Sequence, residues 1–461
     1  MQIAVIVVGA VIAVAALCWI YRRPQRGVLL LAALTPLHGL LAIAPVPGIA
    51  SAWKEGLVLV TAVFAWIHRG VAARHPGPRL HLPWWPAAAI FVAYGTVSGL
   101  AFFGIAGVVA IKVTFFYLTV VGILWLTPFD ARDRDVLVSV IMGMGALATV
   151  VGIVQQIVGP GALVNLGYEF GQQVRTTGGF FRTFSTFNQP FGFGLYVMMA
   201  LLVGGAVALA EPRRRRNLLF LCFSPVMAAA MATSVVRAAI LGLLVGAIWL
   251  TILRFRALAW PLVAVAALGA VTLPLLPSGA SKIFFSSSSL GQRGSGWSDI
   301  ISSILVHPVG QGLGASGAAA DRISTAEGTA TQAVSTAGGV AQGMSSNYQP
   351  DNYYVKMLLE LGPLGLWAFL ALIVTALIWC VQLSRRIPGR DGALALGVSA
   401  SIVAAMVASL VATYFEIFPL DVYFWLLLGV MGCAAAQHSS HSVRSHSDPG
   451  EVESRPTSVS S

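Results

Sequence analysis

Charge is scarce in this sequence. Only 10% of its 461 residues are Asp, Glu, Lys or Arg, 57% are hydrophobic and the mean hydropathy is +0.82. A soluble core cannot hide that much apolar surface, which excludes a soluble globular protein. Cysteine is scarce as well. Cys18, Cys222, Cys380 and Cys433 each stand in an apolar stretch without paired spacing, so neither a disulfide frame nor a CxxC metal site is indicated, and all four read as small apolar fillers. HExxH is missing, and the carboxylates Asp299, Asp321, Glu327, Asp351 and Glu360 are not set at ligand spacing, so no metal is expected. GxSxG is missing too, which removes the usual serine nucleophile. The glycines of GQGLGASG (310–317) lack the lysine and the strand-to-helix setting of a phosphate loop. They read as turns, and no nucleotide cofactor is implied. The net charge of +11 lies in short runs between apolar stretches rather than on one soluble face, so nucleic acid is not a partner.

What is present is a series of thirteen apolar blocks: about 1–21, 27–44, 54–68, 84–103, 107–126, 136–158, 190–210, 217–233, 237–253, 257–276, 362–383, 393–414 and 420–436. A spanning helix needs roughly 20 apolar residues. The expectation is an all-α polytopic membrane bundle of 12–13 helices forming one domain over residues 1–436. Met1 to Tyr21 lacks a basic start and a small-residue cleavage site and reads as the first span rather than a signal peptide. The connections 21–26, 68–81, 130–135, 211–217, 254–256, 384–391 and the tail hold nineteen of the 28 Lys and Arg residues. All seven fall on one side in an alternating count. The positive-inside bias then puts the N-terminus outside and the C-terminus in the cytoplasm. The tail, 437–461, has no apolar periodicity and reads as disordered; its His438, His441 and His446 read as solvated rather than as metal ligands. Two outer loops are long, 159–189 and 277–361, and loops of that length usually carry function. In the second, WSDIISSIL (297–305) has the spacing of a short amphipathic surface helix.

Nine basic residues fall on the outer side against the bias: Lys54, Lys112, Arg175, Arg182, Arg237, Lys282, Arg293, Arg322 and Lys356. Ionisable groups near membrane depth are costly and mark candidate sites. Arg182 lies among phenylalanines in FFRTFSTFNQPFGFG, where its rigid fork of donors suits a phosphate or carboxylate. Arg237 stands in TSVVRAAILG, a hairpin too tight for escape to bulk water. Arg293 sits in GQRGSGW. Lys112 either faces the same polar space or snorkels outward, and Arg175 either joins it or pairs with Glu169. At the end of the second loop, QPDNYYVKMLLELGPLGL puts Asp351 and Asn352 in front of a span. Asp351 is a proton acceptor, a cap for a helix starting at Asn352 or Tyr353, or both; Glu360 is the rival base.

The order of RTFSTFNQPFGFG, TSVVRAAILG, QRGSGWSDIISSILVHPVGQGLG and DNYYVKMLLELGPLGL over residues 175–370 resembles the bacterial O-antigen ligase and O-antigen polymerase superfamily. The resemblance implies a metal- and nucleotide-independent glycosyltransferase. Its donor is an undecaprenyl-diphosphate-linked oligosaccharide at the outer face of the cytoplasmic membrane, and its acceptor is a glycan, lipid or protein. It also implies that Arg182, Arg237 and Arg293 hold the diphosphate. Ligases carry a histidine ahead of the span matching LLLELGPLGL, where this chain has Asp351 beside Asn352, so polymerase stands ahead of ligase. A transporter or flippase of lipid-linked glycans is the alternative from a different class.

Overall fold

A bilayer offers no hydrogen-bond partners to the backbone, so helices are the expected spanning element. The computed structural model describes residues 13–44, 51–72, 80–272, 302, 304–317, 319–320, 322–323 and 351–446. Its helices are α1 (Ala13–Arg22), α2 (Gln25–Leu34, continuing as a 3-10 turn to Ala42), α3 (Trp53–Ala72), α4 (Trp85–Phe103), α5 (Gly107–Phe115), α6 (Leu118–Leu126), α7 (Ala131–Asn165), α8 (Pro190–Ala210), α9 (Arg215–Ala232), α10 (Arg237–Leu253), α11 (Ala259–Thr272), α12 (Tyr353–Arg386), α13 (Gly389–Ala408) and α14 (Leu420–His446). The all-α bundle is as expected. Among the described residues, seven helical stretches are long and apolar enough to cross a membrane, fewer than the thirteen blocks. Lys54, Glu55, His68 and Arg69 dilute α3, and the block 107–126 is cut in two at Phe116 and Tyr117. α14 runs ten residues past the expected end of the last span, to His446, before the described chain stops.

α8, α13 and α14 are the most enclosed spans. α8 packs on α7, α9, α10 and α13, α13 on α10 and α12, and α14 on α6. Small residues allow the close approach, as membrane helices require when lipid is as apolar as their own side chains. A Cβ on Gly246 would lie 2.6 Å from Leu202, and one on Gly397 would lie 2.9 Å from the Val203 backbone. Outward faces carry residues such as Trp66, Ile105, Ile157 and Ile252, all exposed, which in a bilayer face hydrocarbon.

The two ends of the bundle differ chemically. At one end, of the described residues, five arginines meet acids, Arg214 among them. Arg23 binds Asp130 at 2.7 Å and Asp133 at 2.8 Å, Arg134 grips Asp391 through Nε and Nη2 at 3.2 and 2.6 Å, and Asp135 takes Arg216 at 2.9 Å and also Arg390. Asp130 also caps α7 reciprocally with Asp133. The basic connections around 21–26, 130–135, 211–217 and 384–391 therefore gather at one end, as the alternating count requires.

At the other end two helices break at Gly-Pro steps: α7 at Gly159 and α12 at Gly362. Gly362 has φ 63 and ψ −172, a region open essentially to glycine alone, and a Cβ there would overlap the Pro308 carbonyl. Gly362→Ala should therefore destabilise the protein by about 1–3 kcal/mol, measured by unfolding in detergent. Gly122→Ala, in helical conformation with nothing near its Cβ, should leave the midpoint unchanged or raise it.

Candidate functional site

The segment RTTGGFFR folds as a hairpin of two short strands, β1 (Arg175–Thr177) and β2 (Phe180–Arg182). Gly178 and Gly179 both have positive φ, the geometry a two-residue hairpin turn needs. The register sets Arg175 opposite Arg182. The chain then runs into α8, while the α9–α10 connection, carrying Ser234 and Val235, comes alongside. Arg182 Nε donates to the Ser234 carbonyl at 3.0 Å, and its guanidinium lies 5.4 Å from the Phe191 ring centroid. Thr183 joins the two segments, its N–H donating to the Thr233 carbonyl at 3.2 Å and its hydroxyl meeting that of Thr233 at 2.7 Å. Arg237 is the first residue of α10, where backbone N–H groups and the helix dipole favour an anion.

Three arginines thus meet at this end. Burial, with Arg175 and Arg237 nearby, lowers the pKa of Arg182 to about 10, so it stays charged at neutral pH. Arg175 donates to the Gln172 carbonyl at 2.8 Å. The alternative pairing of Arg175 with Glu169 does not form: the register sets Arg175 opposite Arg182 and its Nε is taken by the Gln172 carbonyl. Neither Arg175 nor Arg182 has a carboxylate partner among the described residues, whereas Arg23, Arg134 and Arg216 at the opposite end each have one.

Backbone strain is concentrated here. Ser185 and Val235 both have φ 54; a β-branched residue in that region is a genuine outlier, of a kind that clusters at functional sites. Gln155 of α7 holds Ser185 from both sides, its Oε1 accepting from Ser185 N–H at 2.7 Å and its Nε2 donating to Ser185 C=O at 2.8 Å. Gln156 donates to the Phe181 carbonyl and to the Thr183 hydroxyl. Sequence reading passed over both glutamines; the sign was two adjacent amides within the apolar run VVGIVQQIVG.

The second half of the site is built on the α12 break. The segment 307–317 threads between α4, α5 and α12: Tyr94 donates to the Val309 carbonyl, and a Cβ on Gly314 would lie 2.6 Å from Ala110. Gln311 and Gly312 donate their N–H groups to the Leu359 and Glu360 carbonyls, both at 2.9 Å. Gly310, Gly312, Gly314 and Gly317 all have positive φ, so the turn reading of GQGLGASG stands. Ser316 gives its N–H and hydroxyl to Glu360 Oε1, each at 3.0 Å, and Lys356 Nζ reaches the same oxygen at 2.6 Å and Glu416 at 2.8 Å. Lys356, Glu360 and Glu416 are all buried. Burial raises the pKa of Glu416 above the ordinary carboxylate range, against the pull of Lys356. Glu360, expected as a rival base, is locked into this ion network. Glu416 was missed, although an acid between two apolar blocks in YFEIF was the available sign.

The helix cap falls to Asn352, not Asp351. The Asn352 side chain accepts from Tyr354 N–H at 2.9 Å and Val355 N–H at 3.3 Å, while Asp351 is exposed one residue before it. Tyr353 N–H donates to the Ser409 carbonyl at 2.9 Å, tying this start to the end of α13. Along the α10–α13 contact Gly246 faces Ala400 and Gly242 faces Ala404. Continuing that four-residue step sets the Arg237 end of α10 level with the end of α13, so Asp351 and the arginines share one end of the bundle. Lys112 does not join the arginines: it pairs with Glu55 at 2.9 Å, in a charge group with Lys54, Arg322 and Asp421 that reaches Glu416 through Arg322. Arg293 and most of the expected helix 297–305 lie outside the described residues.

Against this geometry, a family model described as O-antigen ligase matches residues 220–370, from α9 into α12. The matched segment is similar to the O-antigen ligase family over about a third of the chain. The match supports the O-antigen ligase and polymerase superfamily, which implies an enzyme of glycosyltransferase type. The ligase-family segment contains Arg237, the 307–317 loop, Asp351 and the Lys356–Glu360 pair, while Arg175, Arg182 and Lys112 precede it. No curated protein matches the chain.

Lys356, inside the matched segment, neutralises two buried acids, Glu360 and Glu416. Lys356→Met should cost about 3–5 kcal/mol, because removing one partner leaves like charges buried without compensation. Adding Glu360→Gln and Glu416→Gln should recover most of that loss. Unfolding of the two variants in detergent checks both outcomes, and equal midpoints would contradict the assignment.

Proposed function

We propose that the protein polymerises, or ligates to an acceptor, an undecaprenyl-diphosphate-linked oligosaccharide at the outer face of the cytoplasmic membrane, with the arginine end of the bundle outward. The observation that carries this reading is the convergence of Arg175, Arg182 and Arg237 with no carboxylate paired to the first two among the described residues. A diphosphate is the complementary ligand, and its flexible polyprenyl tail suits a site at the membrane surface.

In the reaction an acceptor hydroxyl attacks the anomeric carbon, the bond from that carbon to the diphosphate oxygen breaks, and its electron pair leaves with the carrier lipid diphosphate. Preorganised guanidinium groups stabilise the charge as it gathers there. The hydroxyl proton passes to a base, for which Asp351 is the candidate: it is exposed, relieved of capping by Asn352, and level with the arginines. Arg293 is proposed as a further contact to the diphosphate. Neither a metal nor a nucleotide is part of this scheme. Support for polymerase ahead of ligase rests on Asp351 standing where ligases carry histidine.

Purified protein given a lipid-diphosphate oligosaccharide should yield longer or transferred glycans. Arg182→Ala and Arg237→Ala should each lower the transfer rate by about 10²–10³-fold. Full activity in both variants would remove the arginines from the mechanism. Asp351→Asn should abolish the limb of the pH–rate profile that reports the base; an unchanged profile would assign that role elsewhere. In cells lacking the protein, glycans stopped at a single repeat would indicate a polymerase, and full polymer left on the carrier lipid a ligase.

A further inference from the structure

The opposite end of the bundle carries a second basic recess that the proposed reaction does not use. α1 ends at Arg22, the chain turns at Arg23 and Pro24, and α2 starts at Gln25. With His68 and Arg69 of α3 and Thr127 after α6, these residues line a cavity of about 310 Å3. Its walls are fixed from within. His68 Nε2 meets the Tyr21 carbonyl, the Tyr21 ring stands edge-on to Phe64 at 5.2 Å, and Gln25 Nε2 donates to the Pro128 carbonyl at 3.3 Å.

Within this recess basic charge is in excess. Arg134, Arg216 and Arg390 are each answered by a carboxylate. Here Arg23 takes both nearby acids, Asp130 and Asp133, while Arg22 and Arg69 have no carboxylate partner among the described residues. Arg26, just beyond, lies 5.0 Å from the Trp19 ring. Four arginines therefore face two carboxylates. Arg69 sits over the Trp125 ring at 4.3 Å, and a guanidinium stacked on an indole keeps its in-plane donors for an external acceptor.

The surroundings set the depth. Trp19, Trp66 and Trp125 are all exposed around this end of α1, α3 and α6, and tryptophans so placed mark the membrane–water interface. Ile67 is exposed beside His68. A small free anion would use only the arginines; a phospholipid would use both the arginines and the apolar rim. We propose that this recess binds the phosphodiester headgroup of an anionic phospholipid in the leaflet at the basic end, with Arg22 and Arg69 on the phosphate oxygens and the acyl chains along Trp66 and Ile67. Basic recesses between spans are suited to such headgroups.

The test is native mass spectrometry of the full chain released from detergent with phosphatidylglycerol, phosphatidylcholine or inorganic phosphate added. Phosphatidylglycerol should be retained over phosphatidylcholine, and the Arg22→Gln/Arg69→Gln pair should weaken that retention by about thirtyfold, the product of two surface charges near a lipid headgroup. Arg22→Lys/Arg69→Lys should keep most of it. Arg213→Gln/Arg215→Gln, which removes two exposed arginines at the same end, should change nothing. All variants should melt as the parent does in lipid-free detergent, since neither Arg22 nor Arg69 is buried. Undiminished retention by the glutamine pair, equal retention of phosphatidylcholine, or displacement of the lipid by inorganic phosphate at matched concentration would overturn the proposal, the last by making the recess a free-phosphate site.

Discussion

The break in α12 at Gly362 is the constraint on which the site depends. A helix interrupted near hydrocarbon leaves carbonyls without partners, and such groups are costly when water is excluded. Here the Leu359 and Glu360 carbonyls are taken by the N–H groups of Gln311 and Gly312. The loop is therefore part of the helix's own hydrogen bonding, and removing it would expose the break. The Lys356–Glu360–Glu416 network binds the same loop through Ser316, so backbone and side chains fix it at the same place. The start of α12, with Asp351 and Asn352, is positioned by this arrangement and by the bond from Tyr353 to the end of α13.

A parallel device positions the arginines. Gln155 and Gln156 reach from the middle of an apolar helix to hold the segment after β2, and Thr183 and Thr233 tie that segment to the α9–α10 connection. The left-handed backbone at Ser185 and Val235 is held in place by these bonds. Arg175 and Arg182 meet no acid among the described residues, and polar side chains from α7, the segment after β2 and the α9–α10 connection hold the backbone that carries Arg182. At the basic end, by contrast, Arg23, Arg134 and Arg216 are each met by an aspartate from a helix distant in sequence, and those pairs are structural.

Much of this was legible in the sequence, because the physics is local or compositional. Low charge and long apolar blocks specify a polytopic helical bundle, and basic runs at alternating connections identify one end. Arg182 and Arg237 stand out as basic residues on the wrong side, and they do come together. What was not legible depends on pairing across the fold. The Gly-Gly hairpin sets Arg175 against Arg182 rather than Glu169, and Asn352 rather than Asp351 reaches the first N–H groups of α12. Lys112 finds Glu55 on another helix, and the buried triad joins residues up to sixty positions apart, Lys356 to Glu416. Apolar length alone also did not reveal that α3 mixes charges with its apolar residues or that the block 107–126 turns in its middle.

The central claim is that the converging arginines hold a lipid-linked diphosphate. The most direct measurement is a cryo-electron microscopy map of the protein in lipid nanodiscs with undecaprenyl diphosphate added. The account predicts density for two linked phosphates between Arg182 and the N-terminus of α10 at Arg237, with the polyprenyl chain leaving along the membrane-facing surface. Diphosphate density elsewhere, with those arginines unchanged and uncontacted, would contradict it.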